Sequence, residues 1–174
     1  MAGSPEAVRQ SCGVRGVATL IFVTVGTHTE PFDRLVSRMD HLARETDEPT
    51  LMQIGCSKIT PSNSEWKRFF TNAEYQAAFK AARVLVCHAG IGTLIQAANE
   101  HKPVLCVPRL RAYGEHWDDH QLDICERLAC QGRLRYVIDV TKIDLRELNL
   151  AIPIPRSDEV SALGRRIANF VLAT

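Results

Sequence analysis

The sequence predicts an α/β fold, an open, doubly wound and mostly parallel sheet of the Rossmann-like kind. Strand-like and helix-like segments alternate along most of the 174 residues. Several strand-like segments, such as "LIFVTV" and "PVLCVP", are apolar without alternation. Helices that cover both faces of a parallel sheet bury its strands on both sides and produce this pattern.

We interpret residues 1–19 as a flexible leader and not as a signal peptide, because no cleavage site follows the apolar run. Four elements are expected next. Strands are predicted at 20–25 and 50–55, and helices at 31–45 and 72–82, with Asn72 as a plausible cap of the second helix. A third strand is possible at 66–70. The first helix places one apolar face toward the sheet: Phe32, Leu35, Val36, Met39 and Leu42.

The rest of the chain continues the alternation. Strands are predicted at 83–87, 103–108 and 133–140, and helices at 93–101 and 119–132. Gly132 is expected to stop the latter helix, and a short helix follows within "KIDLRELNLA". An amphipathic helix at 157–173, after Pro153 and Pro155, suits either docking to a partner or packing on its own domain.

Composition favours no nucleic-acid or membrane-surface role. The net charge is +1, with 24% charged residues. No apolar run approaches the roughly 20 residues of a membrane span. The six cysteines form no CxxC pair, so we expect reduced thiols in a cytosol, with Cys87 and Cys106 buried in strands. A zinc site that joins Cys125 and Cys130 to His116 or His120 is conceivable but fits no usual zinc spacing.

Two glycine-bearing loops, "VTVGTHTEPF" and "VCHAGIGTLIQ", follow strands and lead into helices. Ligands of such sheets bind beyond the carboxyl ends of the strands, and free N–H groups at a helix start favour an anion. Gly90 and Gly92 leave room for a phosphate, while Thr93 either caps the helix or offers its hydroxyl. No P-loop lysine and no third glycine follow, so a tight strand–helix turn is the alternative.

A third loop, "YGEHWDDHQ" at 113–121, is expected at the same edge of the sheet. Its side chains are of types that hydrogen-bond sugar hydroxyls. The alternative is a solvated loop in which Asp118 or Asp119 caps the next helix. The candidate residues are Glu115, His116, Asp118, Asp119, His120 and Gln121.

Taken together, the three loops resemble the donor-binding domain of GT-B glycosyltransferases related to the carboxyl half of the peptidoglycan N-acetylglucosaminyltransferase. The resemblance covers roughly residues 20–140. The chain looks most like the stand-alone donor subunits of split enzymes, which serve dolichol-linked oligosaccharide assembly or bacterial capsule and exopolysaccharide synthesis. The stretches "GEHWDDHQ" and "QIGCSK" look more like the bacterial branch.

This resemblance implies a hexosyltransferase that uses a UDP-sugar and needs no metal or other cofactor, and the sequence contains no Asp-x-Asp motif. Helix N-termini would stabilise the departing diphosphate. By the same motifs, Gly26 and Thr27 would face the diphosphate or the acceptor, and His120 and Gln121 would hold the donor sugar. The pyrophosphate cradle would comprise His88, Ala89, Gly90, Ile91, Gly92 and Thr93.

The chain departs from the family pattern at Gln96, where a glutamate often binds the ribose. It also has no room for the second, acceptor-binding domain. The resemblance implies that a membrane-anchored partner subunit supplies that domain, at the cytoplasmic side of the membrane. His28 is the candidate general base, although it could also be a loop residue that only hydrogen-bonds the donor.

Two other functional hypotheses compete with that of a donor-binding enzyme subunit. A nucleotide-sugar-binding regulatory module without transfer chemistry would fit Gln96 and the absence of a secure base. A small NAD-dependent enzyme is disfavoured, because the motif lacks the third glycine and the acid at the end of the next strand.

Overall fold

The computed structural model describes residues 20–155. The predicted leader at 1–19 and the predicted helix at 157–173 therefore lie outside the described residues. The strands are β1 Leu20–Thr24, β2 Thr50–Gln53, β3 Glu65–Lys67, β4 Ala82–Cys87, β5 Pro103–Cys106, β6 Arg135–Tyr136 and β7 Ile152–Pro153. The helices are α1 Asp33–Ala43, α2 Asn72–Ala81, α3 Ile91–Asn99, α4 His120–Cys130 and α5 Leu145–Asn149.

The strands form one sheet in the order β3-β2-β1-β4-β5-β6, and every pair along this path is parallel. The chain moves outward from β1 to β3, returns to the centre at β4 and then continues outward on the other side. The predicted doubly wound, mostly parallel architecture is confirmed. The direction of winding reverses between β1 and β4, which is the position where such sheets open a ligand crevice.

Two apolar clusters cover the two faces of the sheet. Phe22 and Leu85 pack with side chains of α2, α3 and α4 on one face. Ile21 and Val84 pack with α1 and α5 on the other. Burying each large apolar side chain contributes roughly 1.5–3 kcal/mol, so both helical layers hold the sheet. The predicted apolar face of α1 is confirmed, because Phe32, Leu35, Val36, Met39 and Leu42 are all buried.

Several predicted boundaries are corrected. Helix α2 is capped by Thr71 and not by Asn72, because the Thr71 hydroxyl accepts the Glu74 N–H while the Glu74 carboxylate accepts the Thr71 N–H. Helix α3 begins at Ile91, two residues before the predicted start. Gly132, at a φ of +67°, follows α4 as predicted.

The last part of the sheet differs most from the prediction. Of the predicted strand 133–140, Arg135–Tyr136 pairs with β5 and the Val137 N–H donates to the Cys106 carbonyl at 2.8 Å. Asp139 then accepts the Thr141 N–H where the chain turns. Sequence patterns also missed β7, which pairs antiparallel with β5 through Ile152 and Pro153. A proline cannot donate to a ladder, and it is tolerated at such an edge. Within residues 20–155, no helix is long and apolar enough to span a bilayer.

Candidate functional site

A cleft of about 560 Å³ opens at the carboxyl ends of β1 and β4, where the winding reverses. Both glycine loops contribute to it, because Thr24 and Cys87 are register partners in the adjacent strands. The His88 N–H donates to the Thr24 carbonyl at 3.4 Å and joins the two loops. The cleft is lined by Thr24, Gly26, Thr27, Gln53, Phe70, Asn72, Tyr75, Gln76, His88, Gly90, Gly92, Thr93 and Gln96.

The imidazole of His88 lies between the two glycine loops. A Cβ on Gly26 would lie 2.5 Å from its Cε1 atom, and a Cβ on Gly90 would lie 2.2 Å from its Nε2 atom. The missing side chain of Gly90 therefore makes room for His88, a requirement that the sequence pattern did not indicate, and Gly90 also lines the cleft. Position 26 favours glycine for a second reason, because its φ is +77°.

His88 is neutral at physiological pH. Burial, with a further contribution from the charge of Arg109, lowers the pKa of His88 to about 4. The Nδ1 atom is buried and has no hydrogen-bond partner among the described residues. The ring lines the cleft in its neutral form, so His88 adds no charge of its own to the site.

The N-terminus of α3 faces the same cleft. Gly90 is the residue before the helix and gives no side-chain cap, so Thr93 lies in the first turn and not at the cap. A Cβ on Gly92 would meet nothing within 4 Å, so its open side belongs to the cleft. The N–H groups of this turn have no intrahelical acceptor by position. Together with the helix dipole they favour an anionic group in that space.

The far wall of the cleft consists of polar side chains from α2 and α3. The Gln96 amide donates to Gln76 at 2.8 Å and to Glu100 at 3.1 Å. Glu100 reaches Gln96 but is not among the lining residues. Tyr75, whose pKa burial raises to about 12, also lines this wall and keeps its phenolic proton at neutral pH. Amides and a phenol can each donate and accept, as hydroxyl ligands require.

Sequence patterns missed the contribution of Gln53. Its amide donates to the Gly26 carbonyl at 3.2 Å and faces the Thr24 hydroxyl at 3.4 Å, so it holds the first glycine loop. The available signal was a polar residue at the end of an apolar strand. The lining residues from α2 had no comparable signal, because only the tertiary fold brings α2 to this edge.

The third loop is anchored by a buried arginine that sequence analysis did not identify. Arg109 is fully buried and donates to the carbonyls of Val25, Glu30 and Glu115 at 2.9–3.0 Å. Burial lowers its pKa to about 10, so it stays charged at neutral pH. The Arg109 N–H donates to Oε1 of Gln121 at 3.1 Å, and Gln121 is itself 4% exposed. Arg109 thus fixes the loop after β5 against the loop after β1.

Three acidic residues of the third loop have structural partners. Glu115 pairs with Arg34 at 2.7 Å and also accepts the Leu110 N–H at 3.0 Å. Asp119 precedes α4 but does not cap it, because its carboxylate accepts the Arg111 N–H at 2.8 Å. Asp118 accepts the His120 N–H at the helix start instead, at 3.3 Å.

A cluster of aromatic rings lies beside these residues. The ring of His116 contacts the rings of His28 at 4.7 Å and Trp117 at 4.1 Å in tilted geometry, and that of His120 edge-on at 4.7 Å, between ring centroids. Burial is the main cause that lowers the pKa of His116, followed by the nearby His120. The Nδ1 atom of His28 accepts the Glu30 N–H at 3.2 Å, so one of its two nitrogens is already used.

The structure thus divides the sequence-predicted residues into three sets. Lining the cleft are Gly26, Thr27, His88, Gly90, Gly92, Thr93 and Gln96. Packed in or against the core are Ala89 and Ile91. The third set belongs to the third loop or the ring cluster and does not line the cleft: His28, Glu115, His116, Asp119, His120 and Gln121.

A cleft at the switch point of a doubly wound sheet, beside a helix N-terminus, is the position at which α/β domains of this architecture bind their ligands. Residues 20–159 match the glycosyltransferase family 28 C-terminal domain, and the chain belongs to this family. No curated protein matches the chain.

Solved structures share this fold. The glycotransferase of kitacinnamycin superposes with a TM-score of 0.57 at 19% identity, over 84% of this chain and 37% of that chain. MurG of Acinetobacter baumannii superposes with a TM-score of 0.51 at 17% identity, over 79% of this chain and 41% of that chain. The present chain thus spans about two-fifths of the length of these proteins, and the GT-B architecture predicted for it corresponds to one half of such a molecule.

Proposed function

We propose that this domain is the donor-binding, catalytic subunit of a two-chain glycosyltransferase. It binds a UDP-sugar and, with its partner, transfers the hexosyl group to a lipid-linked saccharide in polysaccharide or glycan assembly. The observation that carries the proposal is the open space beside Gly92, at the N-terminus of α3, in a cleft that Gly26 and Thr27 also line. A volume of about 560 Å³ lies within the range of small-molecule sites.

The diphosphate would bind against the first turn of α3. The N–H groups of Ile91, Gly92 and Thr93 lie in that turn, where each lacks an intrahelical acceptor. Neutral His88 would add one hydrogen bond and no charge. The partial positive charge of the helix end would stabilise the diphosphate as it departs, so transfer would need no metal.

The ribose would bind against Gln96. Its amide already bonds Gln76, and both residues line the cleft. An amide can bond a ribose hydroxyl, although a carboxylate would form a stronger, charge-assisted bond. We therefore expect the pair to recognise the ribose with less affinity than a glutamate would give.

The sugar would extend toward the third loop, where His120 is exposed and Gln121 lies against Arg109. The acceptor would come from a second α/β domain on a membrane-anchored partner at the cytoplasmic face of the membrane. His28 or a residue of the partner would act as the general base.

A non-catalytic, nucleotide-sugar-binding role is the second candidate. It is favoured by one observation, that no carboxylate is among the described residues that line the cleft. The two candidates differ in turnover. Binding of UDP-sugar without transfer, in the presence of the acceptor-binding partner, would favour the second.

Titration of the isolated chain with UDP, followed by ligand-observed NMR and calorimetry, tests the donor site. We expect weak binding, because half of the catalytic cleft belongs to the partner, and no loss of binding in a chelator. No UDP signal at millimolar ligand would refute the donor site. Co-expression with the candidate membrane partner, followed by an assay of lipid-linked acceptors with a panel of UDP-sugars, tests the transfer.

A further inference from the structure

Three side chains of the third loop converge outside the cleft. One ring nitrogen of His116, a carboxylate oxygen of Asp118 and one ring nitrogen of His120 lie within 4.8 Å of one another. We propose that these residues form a binding site for a divalent transition-metal ion of the zinc class. The proposal concerns ion binding, and its test does not require the proposed glycosyltransferase function, although His120 belongs to the loop to which we assign the donor sugar.

The loop places the three donor atoms by its spacing and its anchors. His116 and His120 are separated by four positions, with Asp118 midway between them. The fold around the loop limits its freedom, because Glu115 is paired with Arg34 and Asp119 is bonded to the Arg111 N–H. A site held by such neighbouring contacts loses less entropy when it binds an ion.

The first ligand, His116, is held rigidly inside the ring cluster. Its side chain is 4% exposed and packs against the rings of His28 and Trp117. Its Nδ1 atom lies 2.9 Å from Oδ1 of Asp118, although the Asp118 N–H also points at this nitrogen at 3.4 Å. One ring nitrogen thus faces both a donor and an acceptor. A cation shared with the carboxylate satisfies the nitrogen and the oxygen together.

The other two ligands are accessible from solvent. The side chains of Asp118 and His120 are each 47% exposed, and Nδ1 of His120 contacts the same Oδ1 atom of Asp118. An ion can therefore reach the site without opening the core. Two imidazole nitrogens and one carboxylate oxygen are ligand types that zinc accepts, and this set leaves at least one coordination position open.

The cysteine-containing alternative does not share this geometry. Cys125 is buried with Cys87 and Cys106 in the core cluster on one face of the sheet. The Sγ atoms of Cys87 and Cys106 are 3.9 Å apart, and Cys125 is fully buried. The His–Asp–His set is therefore the metal-binding candidate that the described residues support.

Metal-stripped full-length protein titrated with Zn²⁺ by calorimetry, and with Co²⁺ by visible absorption, tests the proposal. We expect one equivalent to bind with the Co²⁺ spectrum of nitrogen and oxygen ligands. His120→Ala and Asp118→Asn should each weaken this binding at least tenfold. His41→Ala is the matched control, because His41 is an exposed histidine on α1 that pairs with Glu45, and it should bind as wild type.

Circular dichroism must show that each variant is folded. If His120→Ala does not fold, Asp118→Asn still tests the site, because asparagine preserves the shape of the aspartate side chain. Unchanged affinity in folded Asp118→Asn protein would overturn the proposal and show that the three side chains only hydrogen-bond one another. A Co²⁺ spectrum with thiolate charge transfer would also overturn it, because cysteines would then be the ligands. UDP binding measured without metal separates failure of this site from failure of the donor site.

Discussion

The imidazole of His88 occupies the place where a side chain on Gly90 would lie, since a Cβ on Gly90 would come within 2.2 Å of Nε2. The same ring abuts Gly26, whose Cβ would lie 2.5 Å from Cε1. One side chain therefore fixes the distance between the loops that follow β1 and β4. The shape of the cleft depends on this contact, because both loops line it.

Gly90→Ala should lower the free energy of unfolding by about 1–3 kcal/mol, because the ring or the loop must move to admit the methyl group. The backbone of Gly90 is ordinary, with a φ of −71°, so the cost comes from the contact. Urea unfolding of Gly90→Ala in the wild-type and His88→Ala backgrounds measures the coupling. An equal cost in both backgrounds would contradict the role of His88.

Acidification should destabilise the protein through His88. The pKa of His88 is about 4 in the folded state against 6.5 ordinarily, so between these values the unfolded state binds a proton that the folded state does not. The contribution of neutral His88 to the free energy of unfolding is then fully present above about pH 6.5. It is lost as the pH drops toward 4, by up to roughly 3 kcal/mol. Urea midpoints from pH 7 to 5 measure this loss.

The comparison is between wild type and His88→Ala, because carboxylates and His116 also titrate as the pH falls. His88→Ala should lose less stability over that interval than wild type. A parallel decline in the two proteins would mean that His88 takes up its proton equally well in the folded state.

The layers of the fold could be predicted from the sequence, because the strands carry the apolar pattern of a sheet that is buried on both faces. The sequence also located the glycine loops, since glycine after a strand and before a helix is a local signal. It could not assign the role of each glycine. Gly90 and Gly92 look equivalent in "HAGIGT", yet one packs against His88 and the other faces open space.

The anchoring of the third loop was beyond the reach of sequence patterns for a similar reason. Arg109 follows an apolar strand and resembles a surface residue, but its guanidinium bonds carbonyls up to 84 positions away. Such contacts arise from the topology that brings the ends of β1 and β5 to one edge. The same holds for Gln121, whose polarity suggests a ligand contact, whereas its oxygen accepts a buried backbone N–H.

Gly92→Val should abolish UDP binding while the fold survives. Its Cβ would meet no protein atom within 4 Å, so the branched side chain would fill the space proposed for the diphosphate. The residue is helical and has no positive φ, so the effect is one of volume and not of backbone strain. Calorimetry with UDP checks the result, with Gly92→Ala as the smaller control. Unchanged affinity in folded Gly92→Val protein would place the diphosphate elsewhere.

Gln121→Ala should lower the free energy of unfolding and should weaken the binding of UDP-sugar more than the binding of UDP. It leaves the buried Arg109 N–H without its acceptor, at a cost of about 1–3 kcal/mol in unfolding free energy. Gln121→Glu keeps an oxygen for that N–H and removes the amide donor, so it should retain more of the stability. Thermal and urea unfolding of the two variants separate these effects.

The same variants test whether this loop reads the donor sugar. Because Gln121 is not among the residues that line the cleft proposed for the diphosphate, UDP should bind either variant nearly as it binds wild type. Loss of a hydrogen bond to a sugar hydroxyl, directly or through displacement of the loop, should weaken UDP-sugar binding by roughly tenfold or more. Both ligands must be measured on the same folded variant. Equal losses for UDP and UDP-sugar would show that Gln121 supports the nucleotide site, and the assignment of this loop to the sugar would be wrong.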